Sequence, residues 1–283
     1  MKRGVLFCCV AALSLLFLSC TKEDVPDLEK VEDVCEVIDD YQFEKYVIEN
    51  FDTDKNGKLS MSEAAAATIM YLEERNIKSL SGIEYFTNLS VLKCYQNQLT
   101  SLDLSKNIKL TQLQCTYNKL TSLDVSKNVR LKELYCYDNY DLTTLTLGDN
   151  SSLEVLNCAE TDLDKLNVSK NVNLSKLDVF NTGLTELDVT KNINLVKLNC
   201  GNTDYGDNSH VKRLAKLDVS KNVKLEMLYC NNNLLTELNV SRNLNLVELE
   251  CWVNPLVTVY LNKKHKNVLK SGIPEGAKIE YLD

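Results

Sequence analysis

Proline is nearly missing from this sequence: three in 283 residues, and none between 89 and 254. Such a stretch keeps every backbone N–H available for a hydrogen-bonded ladder, which an uninterrupted sheet needs. Glycine is scarce as well, at nine, and 44% of residues are hydrophobic, which excludes a disordered or collagen-like chain. Histidine occurs only at 210 and 265, and no His-Glu-x-x-His, Gly-x-Ser-x-Gly or phosphate-cradling glycine loop is present. These absences argue against an enzyme. The formal charge is −8 with the cations dispersed along the chain, so no nucleic-acid partner is expected. Apart from Val5 to Leu18, which is short for a bilayer span, no apolar run approaches membrane length.

What is present begins with a targeting signal. Met1-Lys2-Arg3 is a basic start, followed by the apolar run and then Phe17-Leu18-Ser19-Cys20. This resembles the lipobox of bacterial lipoproteins, with Phe17 where leucine is usual, and implies cleavage after residue 19 and lipid on Cys20. The following Thr21-Lys22-Glu23-Asp24 resembles the surface-export signal of Bacteroidetes-type lipoproteins. The resemblance implies an outer-membrane lipoprotein on the cell surface, with the periplasmic face as the alternative and the membrane contacted through the anchor only. Residues 21–66 carry 14 Asp/Glu against 5 Lys/Arg, whereas 67–283 carry 26 against 25. Residues 20–40 are expected to be an acidic tether.

Asp52-Thr53-Asp54-Lys55-Asn56-Gly57-Lys58-Leu59-Ser60-Met61-Ser62-Glu63 fits the twelve-residue EF-hand loop. Calcium needs six to eight oxygens. Asp52, Asp54 and Asn56 would supply side-chain oxygens, Lys58 its carbonyl, Ser60 a direct or water-bridged contact, and Glu63 both carboxylate oxygens. Gly57 permits the sharp turn. Phe43, Val47 and Phe51 recur every four residues, as an entering helix requires, and Ser60 with Glu63 forms a capping box for an exit helix running through the alanines at 64–67. A helix-loop-helix over 41–74 follows, with Ca2+ bound weakly and structurally, since no second loop is found to pair with it.

From Leu89 the chain repeats, with leucine starts at 110, 131, 153, 174, 195, 225 and 246. Six of the seven spacings are 21 or 22 residues and one is 30. Leu-x-x-Leu-x-Cys alternates apolar and polar residues, predicting a strand with one buried face. Leu-x-x-Leu-x-Val returns the chain along the opposite wall. One such coil cannot enclose a core; stacked coils can. About nine coils are expected, with a degenerate first one carrying Ile77, Leu80 and Ile83. Asn97, Asn118, Asn139, Asn233 and Asn254 should turn inward to satisfy turn backbone; Thr161, Thr182 and Thr203 replace them in three middle coils, predicting less regularity there.

The pattern resembles the cysteine-ladder, 21-residue variety of the internalin class of bacterial leucine-rich repeats, over roughly residues 67–260. The resemblance implies a right-handed leucine-rich-repeat solenoid of short parallel strands over 67–255, with a C-terminal cap at 256–283. It also implies adhesion or ligand binding, mostly to proteins, by a monomer.

Cys94, Cys115, Cys136, Cys158, Cys200, Cys230 and Cys251 share one slot of the repeat, with Val179 as the missing member. Rungs of a ladder do not converge as a metal site requires, and valine in the slot points to a small apolar role. Cys35 lies outside the ladder as a free thiol. Residues between the buried ones should line the concave face, giving Tyr95, Tyr117, Tyr135, Tyr137, Phe180, Tyr229 and Trp252 as exposed anchors for a protein, or for a glycan used in nutrient uptake. The cluster at Tyr117, Tyr135 and Tyr137 is the best single patch. Lys106, Lys127, Lys170, Lys191, Lys221 and Arg242, beside Asp103, Asp124, Asp188 and Asp218, read as a self-compensated flank, and the extra residues around 202–213 as an edge loop.

Overall fold

The computed structural model describes residues 31–203, 213–265 and 272–283. The targeting segment, Cys20, most of the tether and the insertion at 204–212 lie outside the described residues. Residues 32–283 form one compact unit. Among the described residues no helix is long and apolar enough to cross a membrane.

Two short helices come first. α1 (Tyr41–Phe51) begins at Asp40, whose carboxylate accepts the Gln42 and Phe43 N–H groups at 2.9 and 3.2 Å. That satisfies two donors which a helix start otherwise leaves unpaired. α2 (Met61–Ala66) begins at Ser60 with the capping box in place. The exit helix is shorter than its sequence suggests: it stops at Ala66, and Ile69–Tyr71 is strand β1 rather than helix. Sheet pairing overrides alanine's helix preference here, because β1 lies in parallel register with Val91–Lys93. The helices cover the first coil's open edge. Phe43 and Phe51 pack on Phe86 with ring centroids 6.1 and 5.7 Å apart, and the Tyr46 hydroxyl accepts the Tyr71 N–H at 3.1 Å.

Nine parallel strands then stack, one per coil: β1, β2 (Val91–Lys93), β3 (Gln112–Gln114), β5 (Glu133–Tyr135), β7 (Val155–Asn157), β8 (Lys176–Asp178), β9 (Lys197–Asn199), β10 (Met227–Tyr229) and β12 (Glu248–Glu250). In each the central residue points inward and its neighbours outward. The register aligns Leu92, Leu113, Leu134, Leu156, Leu177 and Leu198 into one buried row. On the opposite wall β4 (Ser122–Asp124) pairs with β6 (Thr144–Thr146), and β11 (Glu237–Asn239), β13 (Thr258–Asn262) and β14 (Lys278–Leu282) form a second ladder. The chain after Leu256 closes the last coil, where Gly272 gives its carbonyl to the Cys251 N–H at 2.8 Å.

The inward asparagines behave as their spacing predicts. Asn118 donates from Nδ2 to the carbonyls of Cys94 and Cys115 at 2.9 and 3.1 Å, and its Oδ1 accepts the Leu99 N–H at 3.0 Å. Thr161 and Thr182 each make one such bond, to the carbonyls of Cys158 and Val179. Between Thr146 and Glu237 the opposite wall carries no strand among the described residues, as is also the case at Leu102–Leu104 in the Asn97 coil. A second asparagine ladder was not given a role from sequence. Asn107, Asn128, Asn171, Asn192, Asn222 and Asn243 are fully buried at the far turn. Asn128, for example, donates to the carbonyls of Leu104 and Asn107 at 3.0 Å each, tying its coil to the one before.

Candidate binding face and calcium loop

The ladder cysteines are structural. All seven are free thiols, none more than 3% exposed, and Val179 fills the vacant rung at 2%. Burial pushes every ladder thiol up, to about 12 for Cys115 and Cys200, so none is a thiolate near neutral pH. Cys35 is half-buried, and its thiol is also pushed up to about 12, by burial and then by the Asp33 carboxylate.

The loop at 52–63 runs from the end of α1 to the first turn of α2. Asp52, Asp54 and Glu63 each place a carboxylate oxygen within 4.8 Å of the others. Three anions this close repel one another unless positive charge lies between them. Backbone donors offset part of that repulsion: Gly57 N–H to Asp52 Oδ2 at 2.9 Å, and Asn56 N–H to Asp54 Oδ1 at 3.1 Å. Gly57 has φ +80°, the left-handed turn its position requires. Glu63 accepts the Thr53 N–H and Oγ1–H at 2.7 Å each on Oε1, and the Ser60 N–H at 3.0 Å on Oε2. These bonds, led by the Thr53 hydroxyl, hold its carboxyl down to about 2. The stability they contribute is therefore present above the ordinary carboxylate range, and lost as pH falls toward about 2.

The Ser60 hydroxyl is engaged by Glu63 Oε2 at 2.8 Å, and Asn56 Oδ1 accepts the Lys58 N–H at 2.8 Å. The backbone of buried Leu59 ties the loop to residues 33–34. Its N–H donates to Asp33 Oδ1 at 3.0 Å, and its carbonyl accepts the Val34 N–H at 2.8 Å.

On the concave sheet, Tyr95, Tyr117, Tyr135 and Tyr137 do come together. With Gln96, Gln114, Thr116 and Asn157 they line a depression of about 520 Å3. Tyr117 and Tyr137 meet edge to face at 5.6 Å. The rest of the expected exposed set needs correction. Of the set, only Tyr117 and Trp252 are exposed, at 50% and 42%; Tyr95, Tyr135, Tyr137, Phe180 and Tyr229 are half-buried, because neighbouring coils about 5 Å away shade flat rings. Tyr229 is further covered by Lys197, whose ammonium lies 5.3 Å from the ring centroid. Phe180 and Trp252 stand on other coils and do not join the cluster.

Two exposed tyrosines were missed. Tyr71 holds the same strand position as Tyr135 and Tyr229, and aligning the degenerate first coil would have revealed it. Tyr140, 56% exposed, donates to Asp138 Oδ1 at 2.7 Å, which pushes its phenol up to about 12. The depression is therefore edged by acid: Asp138 beside Tyr117 and Tyr140, and Glu133 beside Tyr135.

The flanking charges act on one another without direct contact: after the turn hydrogen bonds, Lys191 and Lys221 help hold the Asp188 and Asp218 carboxyls down. Asp103, Asp124, Asp188 and Asp218 each accept the backbone N–H two residues ahead at 2.8–2.9 Å. Among the described residues none of the six partner cations forms a salt bridge.

These features define an internalin-like leucine-rich-repeat solenoid with a cysteine ladder. No family model matches the sequence, and no curated protein matches it. Among solved structures, the cysteine-ladder functional domain of InlJ from Listeria monocytogenes is 31% identical with a TM-score of 0.71, over 89% of this chain and 54% of that one. The leucine-rich-repeat protein LIC12759 of Leptospira interrogans is 23% identical, with a TM-score of 0.60 over 78% of this chain and 56% of that one. The internalin InlF of Listeria monocytogenes is 19% identical, with a TM-score of 0.56 over 90% of this chain and 79% of that one. The chain thus spans about half the length of the InlJ domain it matches.

Proposed function

We propose that this chain is a non-catalytic surface-binding protein that recognises a protein partner through its concave sheet, around the tyrosine depression. The observation that carries this reading is the depression itself: four tyrosines on three adjacent coils, held by a rigid sheet and edged by acids. Rigid aromatic side chains lose little entropy on binding and supply large contact area. A leucine-rich-repeat structure of the same fold, FLRT2, is described within an octameric complex with Latrophilin 3 and Unc5D, which accords with protein recognition by such a wall.

Calcium in the loop at 52–63 is part of the proposal, with the three clustered carboxylates and Gly57 as its support. Its role would be structural, fixing the loop that joins the two helices capping the first coil. So is the anchor: lipid on Cys20 would hold the solenoid at the outer membrane, on the cell surface.

Alanine at both Tyr135 and Tyr137 is expected to weaken partner binding at least roughly thirtyfold, as loss of two central anchors of 1–2 kcal/mol or more each requires. Affinity capture of surface proteins by the parent chain and the double variant, alongside a glycan array, checks this. A protein retained by the parent and lost by the variant supports the reading; retention of a glycan alone would transfer the face to sugar capture.

A further inference from the structure

The edge where each coil turns into its concave strand carries a repeated surface unconnected with the tyrosine depression. In six coils one tetrad recurs: a cation, the buried asparagine of the second ladder, an exposed aliphatic residue, and a further polar or cationic residue. The aliphatic residues are Ile108, Val129, Val172, Ile193, Val223 and Leu244, each 41–54% exposed. Single exposed aliphatics are ordinary. A row of six, at the same place on successive coils, is not scattered exposure. At ~4.8 Å per coil the row runs roughly 30 Å. It is interrupted once, where Gly148-Asp149-Asn150-Ser151 replaces the pattern.

Charge sets this edge apart from the rest of the molecule. Lys106, Lys127, Lys170, Lys191, Lys221 and Arg242 precede the asparagines, and Lys109, Arg130 and Lys224 follow the aliphatic residues in three coils. The seven turns hold nine Lys/Arg and one acid, Asp149, in a chain of net charge −8. The six cations are exposed and form no salt bridge among the described residues; the nearby aspartates accept turn N–H groups, and Lys191 and Lys221 act on Asp188 and Asp218 only at longer range. The row is also stiff. Asn128, Asn192, Asn222 and Asn243 each fasten their turn to two carbonyls of the preceding coil, and Asn194 and Asn245 add bonds to the carbonyls of Val172 and Val223.

We propose that this edge is a docking surface for an anionic lipid layer, on which the solenoid lies lengthwise. A row of aliphatic side chains at one place on successive coils, flanked by long cationic ones, matches a plane of anionic headgroups. The aliphatics sink between headgroups, while the lysines keep their ammonium groups at the phosphates. A soluble polyanion, such as a sulfated glycan, matches the cations but leaves the aliphatic row in water. Such docking would leave the concave sheet facing sideways, open to a partner.

The test uses the full chain carrying Cys20→Ser, so that no attached lipid contributes, and vesicles of phosphatidylcholine alone or mixed equally with phosphatidylglycerol. Flotation is expected to show at least roughly tenfold tighter binding to the anionic vesicles, weakening as salt is raised. That preference should disappear when the six cations are changed to glutamine. It should also disappear when the six aliphatic residues are changed to serine; Val129→Ser/Ile193→Ser serves if the sixfold variant melts early, and should reduce it. Equal binding to both vesicle types, no binding, or a preference that survives either set would overturn the proposal. Loss with the cations alone would do so too, by pointing to a soluble polyanion.

Discussion

Leu134→Ala is expected to cost about 2–5 kcal/mol, a large part of the 5–15 kcal/mol that typically holds a folded chain together. Leu134 is fully buried at the centre of β5, in register with Leu113 on one side and Leu156 on the other. Truncation removes apolar burial and opens a cavity that two rigid neighbours cannot close. Because each coil contacts only those adjacent to it, a defect here weakens two interfaces at once. Leu249, in the last strand of the same sheet, pairs with one strand neighbour, β10, and should cost less when truncated. Urea unfolding of the two variants checks this. A cost below about 1 kcal/mol for Leu134→Ala, or a larger one for Leu249→Ala, would contradict a core shared between stacked coils.

Calcium is expected to stabilise the folded chain by roughly 1.4–2.7 kcal/mol at about 10 mM, if its affinity is in the 10⁻⁴–10⁻³ M range of extracellular sites. The melting temperature and the resistance of the 41–66 segment to protease should rise together. Glu63→Gln separates ligand charge from helix capping, because glutamine still completes a capping box with Ser60. The variant should keep its helix and lose most of the calcium response; Asp54→Asn should do likewise without touching the cap. An unchanged melting temperature and cleavage pattern in the parent chain, with calcium added, would remove the ion from the description.

The solenoid was legible because its period repeats every constraint. Leu-x-x-Leu-x-Cys sets strand and buried face, and Asn118 and its counterparts, with threonine in three coils, close the turns, so eight near-copies agree where one would be ambiguous. What escaped was decided between coils. Nothing local to Ile69–Tyr71 says that a neighbouring strand will end α2 at Ala66. Tyr229 read as a free ring because Lys197, 32 positions away, becomes its neighbour only through the long repeat. Asn107 and Asn128 stand beside lysines and exposed aliphatics, and nothing in their local sequence marks them as fully buried. The unpaired cation row was hidden by its aspartates, whose sequence spacing suggests ion pairs but whose oxygens face turn N–H groups. The twelve-residue pattern at 52–63 stands in the sequence, yet the tie between Leu59 and Asp33 depends on a contact across 26 positions.

Thiol accessibility followed by mass spectrometry tests most directly whether a dry leucine-and-cysteine interior lies behind a rigid wall. Under native conditions an alkylating reagent should leave Cys94, Cys115, Cys136, Cys158, Cys200, Cys230 and Cys251 unmodified, with Cys35 reacting slowly, and denaturant should release all seven in one cooperative step. Ladder sulfurs that react readily in the folded protein, or that stay protected in denaturant until a chelator or reductant is added, would show that they line water, hold an ion or pair with one another.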